Sequence, residues 1–153
     1  MLKTSTNADD HSFPSLDDRV GHLLRRAYQK ASGNLARRLR DSGLTVPRYA
    51  VLHRLREYGA VSQNRLGRLV AMEPGNIHDI VRSLKSDHLV KTRDDPNDNR
   101  RRLVELTDDG VALIDQLIVA NDEASRETLA NLSRAEQDLL KSLLMRIVGK
   151  LDD

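Results

Sequence analysis

Leu16, Val20, Leu23, Leu24, Ala27, Ala31, Leu35 and Leu39 recur at helical spacing and predict one long helix from about Ser15 to Arg40. Gly21 and Gly33 each cost that helix roughly 1 kcal/mol against Ala without reversing the pattern, and Gly43 supplies a stop. Thr45 is a suitable N-cap for a second helix with Pro47 in its first turn; Tyr49, Val51, Leu52 and Leu55 form its apolar side, and Tyr58-Gly59 ends it. A short third helix after Ser62 buries Leu66, Leu69 and Val70. A fourth begins near Glu73-Pro74 with Ile77, Ile80, Val81 and Leu84 as its buried stripe, which leaves Asn76, His78, Asp79, Arg82 and Lys85 on its other faces. Two short helices joined by Ala71-Met72-Glu73 make a helix-turn-helix.

The pattern then changes period. Residues 88–93 read as a short strand, 94–99 as a long polar tip dense in turn formers, and 100–106 as a returning strand: a β-hairpin with basic arms, a wing. Three aspartates near the tip repel phosphate unless neighbouring arginines pair with them. Thr107 caps the next helix, with Asp108 and Asp109 in its first turn and Val111, Ile114, Leu117, Ile118 and Val119 on its apolar face. Ser133 and Glu136 form a capping-box pattern, followed by a stripe of Leu139, Leu140, Leu143, Leu144, Ile147 and Val148.

These elements predict a mainly α fold with a small β-hairpin: a winged helix-turn-helix between N- and C-terminal dimerisation helices. The expected divisions are a flexible polar tail over residues 1–14, a dimerising helix over 15–43, a DNA-binding lobe over 44–107 and dimerising helices over 108–153. The terminal helices carry more apolar surface than so small a central module covers, so they are expected to pair with each other and with a second copy.

Composition narrows the function. A chain of 153 residues suits one domain, and a net charge of only +2 means that a nucleic-acid reading rests on where charges sit rather than on their total. The absence of cysteine removes disulfides, thiolate metal sites and thiol switches. No membrane-spanning run and no signal-like N-terminus is present, which predicts a cytoplasmic protein with no membrane partner. His11, His22, His53, His78 and His88 are scattered without metal-ligand spacing, and no nucleophile elbow or phosphate-binding glycine loop suggests an enzyme or a cofactor.

A short helix fits the major groove, with a wing beside it reaching phosphates or the minor groove. The residues expected near double-stranded DNA are Ser62, Gln63, Asn64, Arg65 and Arg68 from the third helix, Asn76, His78, Arg82 and Lys85 from the fourth, and Arg93, Asp98, Arg100, Arg101 and Arg102 from the wing. Taken singly, each arginine reads equally well as a solvated charge, and Ser62 as a plain cap. A dimer would read an inverted repeat with half-sites about one helical turn apart. An architectural, non-specific DNA-binding protein and a winged helix that binds protein instead of DNA are the competing classes.

Residues 44–110 resemble the MarR family of regulators. The resemblance is carried by Asp95-Pro96-Asn97-Asp98-Asn99-Arg100, by Val104-Glu105-Leu106-Thr107 with Gly110, and by Leu89-Val90, where His88 stands in place of a common Gly. It implies a homodimeric repressor, a wing tip organised by Asp98 and Arg100 with the arginine near the minor groove, and release from DNA by a small aromatic acid. Asn99 replaces a frequent Arg. The implied effector site draws on the first two helices, where His22, Arg26, Tyr49 and His53 suit an aromatic or N-heteroaromatic carboxylate. Residues 72–80 also resemble regulators of nicotinate catabolism.

Overall fold

The structure is a computed structural model that describes residues 13–150. The polar tail expected over residues 1–14 lies outside the described residues apart from Phe13 and Pro14. Ser15 caps a single 3-10 turn, Leu16–Asp18, and the first long helix follows as α1 (Val20–Leu39). Then come α2 (Val46–Tyr58), β1 (Val61–Ser62), α3 (Gln63–Leu69), α4 (Pro74–Ser86), β2 (Val90–Asp95), β3 (Asp98–Leu106), α5 (Asp108–Thr128) and α6 (Arg134–Val148). The predicted caps are present: Thr45, Ser62 and Thr107 each accept a hydrogen bond from a first-turn amide, and Ser133 with Glu136 closes a reciprocal capping box.

The sheet differs from the expected hairpin in two ways. It has three antiparallel strands in the order β1-β3-β2, because Val61 and Ser62 pair with Val104 and Leu103. Two residues are too short a strand to show a period-2 signal, so the pattern alone concealed β1. The hairpin is also longer and its tip shorter than predicted: the strands run to Asp95 and resume at Asp98, leaving Pro96 and Asn97 to turn. His88 and Leu89 are not strand residues, since they finish the turn out of α4.

One core joins the lobe to the long helices. Leu35 and Leu39 of α1 pack with Val51, Leu52 and Leu55 of α2, Leu66 of α3, Ile77 and Leu84 of α4, Val90 and Val104 of the sheet, and Ile114 of α5. The remaining predicted stripes are covered only in part, with Ala31, Leu117, Leu140 and Leu144 half-buried. Leu16, Val20 and Leu23 are exposed, as are Ile118 and Val119 of α5, and no residue of α6 is buried, with Ile147 at 67% and Val148 at 58% exposure.

A polar rivet holds α1 against α5. Asn34, the one buried polar residue among the described residues, donates to Thr128 Oγ1 at 3.0 Å and accepts from Arg37. Arg37 and Arg38 both grip Glu127, at 2.7 and 2.5 Å. Hydrogen bonds from Arg37 and then Arg38 hold the Glu127 carboxyl below its usual range. A carboxylate so depressed adds its full stability above that range and loses it as pH falls below the range and through the carboxyl's own lowered value. Glu127→Gln is therefore expected to lower the thermal midpoint at pH 7, by a gap that narrows steadily as pH falls below the usual carboxylate range; a gap of constant size across that acid range would refute an ionic contribution.

α4, the wing and α5 meet at Leu89. Thr107 donates its amide to Leu89 O at 3.1 Å and its hydroxyl to His88 O at 2.7 Å, while its Oγ1 accepts from Gly110 N at 3.1 Å. A Cβ on Gly110 would stand 2.1 Å from Leu89 O, which explains the glycine in the first turn of α5. Gly110→Ala is expected to cost about 3 kcal/mol by overpacking, read in chemical denaturation. His88 adopts φ 59°, the left-handed conformation in which a Cβ is strained. His88→Gly is expected to gain about 1 kcal/mol in the same assay, and a loss would locate a contribution in the imidazole.

Candidate nucleic-acid interface

The sequence sets α4 against α3 at close range. Gly67 is buried where an added Cβ would touch Ile77 and Met72 O, both at 3.4 Å, and Ala71 turns the chain with φ 54°. Arg54 of α2 donates from Nε to Leu69 O at 3.1 Å, tying the end of α3 to the scaffold. Arg54 and Arg65 both lie over the Tyr58 ring, at 5.9 and 5.4 Å from its centroid. Neither Arg54 nor Tyr58 stood out from the sequence, because each sits in a helix whose apolar spacing accounts for its neighbours.

With Ile77, Val81 and Leu84 turned inward, Asn76, His78, Arg82 and Lys85 are exposed on α4. The wing stands beside that face. Gln63 of α3, His78, Arg82 and Lys85 of α4, and Thr92 and Arg102 of the wing line one cleft of about 270 Å³ floored by Val81 and Val104. Of the residues predicted near DNA, this cleft collects Gln63, His78, Arg82, Lys85 and Arg102. Asn64, Arg68 and Asn76 are exposed on the same two helices without lining it. Ser62 acts as the α3 cap, its Oγ accepting from Arg65 N at 3.3 Å.

The aspartates of the wing are paired. Asp98 accepts from Arg100 N at 3.0 Å and lies 3.6 Å from Arg101 Nε; Asp94 lies 4.0 Å from Arg102 Nε; Asp95 accepts from Asn97 N at 2.9 Å. Arg93 is held by Glu105 at 3.1 Å. Register runs from Asp94↔Arg102 directly to Asp95↔Asp98, so Asn99, Arg100 and Arg101 project from an irregularity in β3. Arg100 is the wing arginine with no ion pair among the described residues. Thr92 is the wing residue that sequence reasoning missed. Its alternation with buried Val90 carried the signal, since both face α4.

The four residues expected at an effector site fall into two pairs. His22 and Arg26 face Asp17, at 3.7 and 3.9 Å. Tyr49 is 4% exposed, with its hydroxyl 3.1 Å from His53 Nδ1 and the two rings at 60°. Burial, reinforced by the charge of Asp122, pushes the Tyr49 phenol up. Clefts flank His53 on both sides, one of about 320 Å³ with Tyr49, Arg54 and Asn121, the other of about 390 Å³ with Arg56, Asp115 and Ile118. Neither His22 nor Arg26 lines them. No group of side chains among the described residues is arranged to hold a metal, and no described helix is long and apolar enough to cross a membrane.

Residues 44–110 match the model of a winged helix DNA-binding domain. The chain is 33% identical over 139 residues to the transcriptional repressor NicR of Pseudomonas putida, covering 91% of this chain and 88% of NicR. Its fold superposes with a TM-score of 0.83 on BpsR of Bordetella bronchiseptica, whose DNA binding is regulated by 6-hydroxynicotinic acid, at 31% identity over 90% of this chain and 98% of that one. A mutant of E. coli MarR complexed with operator DNA superposes with a TM-score of 0.78 at 25% identity, covering 84% of this chain and 93% of the other. With this fold, the wing motif and relatives matched along nearly their whole length, the chain belongs to the MarR family of DNA-binding winged-helix transcriptional regulators.

Proposed function

We propose that this protein is a homodimeric repressor that binds an inverted-repeat operator and is released by a small aromatic or N-heteroaromatic carboxylate. The observation that carries the DNA reading is the shared face of α4 and the wing, where Gln63, His78, Arg82, Lys85 and Arg102 surround one cleft and Arg100 stands at the tip with no ion pair among the described residues. Asn76, His78 and Arg82 take the base-reading role on α4. Lys85, Arg65, Arg68, Arg93, Arg100, Arg101 and Arg102 meet phosphate or the minor groove, with Asp98 shaping the tip and Ser62, Gln63 and Asn64 approaching the backbone at the start of α3.

The dimer reading is supported by apolar faces left open at both ends of the chain: Leu16, Val20 and Leu23 near the start, Leu139, Leu143, Met145, Ile147 and Val148 near the end. A monomer leaving this much apolar surface in water is unfavourable, and a second copy covers it symmetrically. The effector reading is supported by the clefts at His53 and by two relatives, one named a repressor and one regulated by 6-hydroxynicotinic acid. Tyr49 and His53 supply the aromatic wall and a hydrogen-bonding group in this reading. His22 and Arg26 reach the ligand only if dimer formation brings α1 of one protomer to the cleft of the other.

Selection of duplexes from a random pool, with unrelated DNA as competitor, tests the reading. A recovered inverted repeat bound at least about 10³-fold more tightly than competitor is the expected outcome. Arg100→Ala should weaken it about tenfold, and 6-hydroxynicotinic acid or a related acid should release it. Uniform binding of every sequence would move the protein to the architectural class, and no heat with any such acid on folded dimer would remove the effector.

A further inference from the structure

Two cations of different elements converge on one neutral hydroxyl. Lys85 Nζ, in the last turn of α4, donates to Thr92 Oγ1 at 3.1 Å, and Arg102 Nη2 of β3 donates to the same oxygen at 3.4 Å. Like charges gathered on one uncharged oxygen repel, and the arrangement is relieved when an anion sits between them. Carboxylates do not supply that anion in full. Asp94 approaches the Nε edge of Arg102 at 4.0 Å, and Glu105 is engaged by Lys91 and Arg93. Thr92 accepts both hydrogen bonds, which leaves its own O–H to donate. The cleft has Val81 and Val104 as its apolar floor and is roomy enough, at about 270 Å³, for a phosphodiester.

We propose that Lys85, Arg102 and the Thr92 hydroxyl form a seat for one backbone phosphate of the bound duplex between α4 and the wing, with Thr92 the residue that positions both cations. The inference rests on the DNA-binding reading of this face and adds to it a single shared phosphate and a neutral organiser. A phosphate fits better than a base edge, because the donors converge at the C-terminal end of α4, two turns beyond His78 in the same cleft and farther still from Asn76 at the start of the helix. The seat also fixes the wing against the recognition helix at the moment of binding, since one oxyanion is held from both.

The test uses the full chain and its selected operator. A scan replacing each phosphate by a neutral methylphosphonate is expected to find one position per half-site that costs the parent about tenfold and costs a Lys85→Ala/Arg102→Ala double variant nothing further. Each single variant should lower the slope of log affinity against log salt by up to about 0.9, and the double variant by no more than about 0.9, because one phosphate is involved. Thr92→Val removes no charge and suits a strand, so it should fold and keep the salt slope while losing about fivefold in affinity, and Thr92→Ser should restore it. Slopes that add to about 1.8 would mean two separate phosphates and overturn the shared seat. Parent-like binding by Thr92→Val would overturn the positioning role. Competition by inorganic phosphate below millimolar, at constant ionic strength, would reassign the seat to a free oxyanion. A parent chain that binds no duplex sinks the DNA reading and this inference together, whereas tight operator binding with no such position in the scan sinks this inference alone.

Discussion

The direction in which α4 and the wing point is set at the Leu89 carbonyl, where the chain leaves α4, enters β2 and later passes again as α5 begins. Thr107 binds Leu89 O and His88 O, and Gly110 sits so close to Leu89 that no side chain fits. Three consecutive elements are thereby fixed at one point. The cleft lined by Lys85, Thr92 and Arg102 lies between two of them, so its geometry depends on a threonine and a glycine that never approach it. The left-handed His88 shows the cost of this crossing: the backbone must reverse there whichever residue stands at the position.

The long helices are linked to the same junction through one core. Leu35 and Leu39 of α1 and Ile114 of α5 pack with the lobe, and the Asn34–Thr128 and Glu127 contacts lock the two helices together farther along. Apolar faces of α1 and α6 remain open beyond that lock. Movement of the terminal helices against a partner would therefore reach the lobe through packed side chains rather than through a linker. The clefts at His53 lie where α2 meets α5, on the route between the open faces and α4.

Most of the fold was legible in the sequence, for physical reasons that differ by element. The stripes of α2, α3 and α4 were read correctly because burial and helical spacing coincide, as Leu52, Leu66 and Val81 illustrate. The stripes of α6 and the start of α1 were read correctly as apolar, but their burial depends on surface the protomer lacks. β1 was hidden by its length, and the hairpin tip was over-extended because Asp94, Asp95 and Asp98 are turn formers by composition yet strand residues by pairing. At the candidate interface, the charged residues that line the cleft were named from the sequence and Thr92 was not. A neutral residue becomes informative only when the structure reveals which charges it holds.

Charge placement shows why a net charge of +2 is compatible with a polyanionic partner. Between residues 90 and 106 stand five cations and four carboxylates, a nearly neutral segment by count. Glu105 takes Lys91 and Arg93, Asp98 takes Arg101, and Asp94 takes one edge of Arg102, so the carboxylates orient arginines as much as they offset them. Among the described residues, what no carboxylate takes is local: Arg100 at the tip, and Lys85, which meets the other edge of Arg102 on Thr92 beside α4. A uniformly basic wing would attract any duplex from any direction. A wing whose charges are mostly spent on its own geometry presents the remainder at defined points, and that spacing, rather than total charge, distinguishes a protein that takes one register on DNA from one that merely adheres to it.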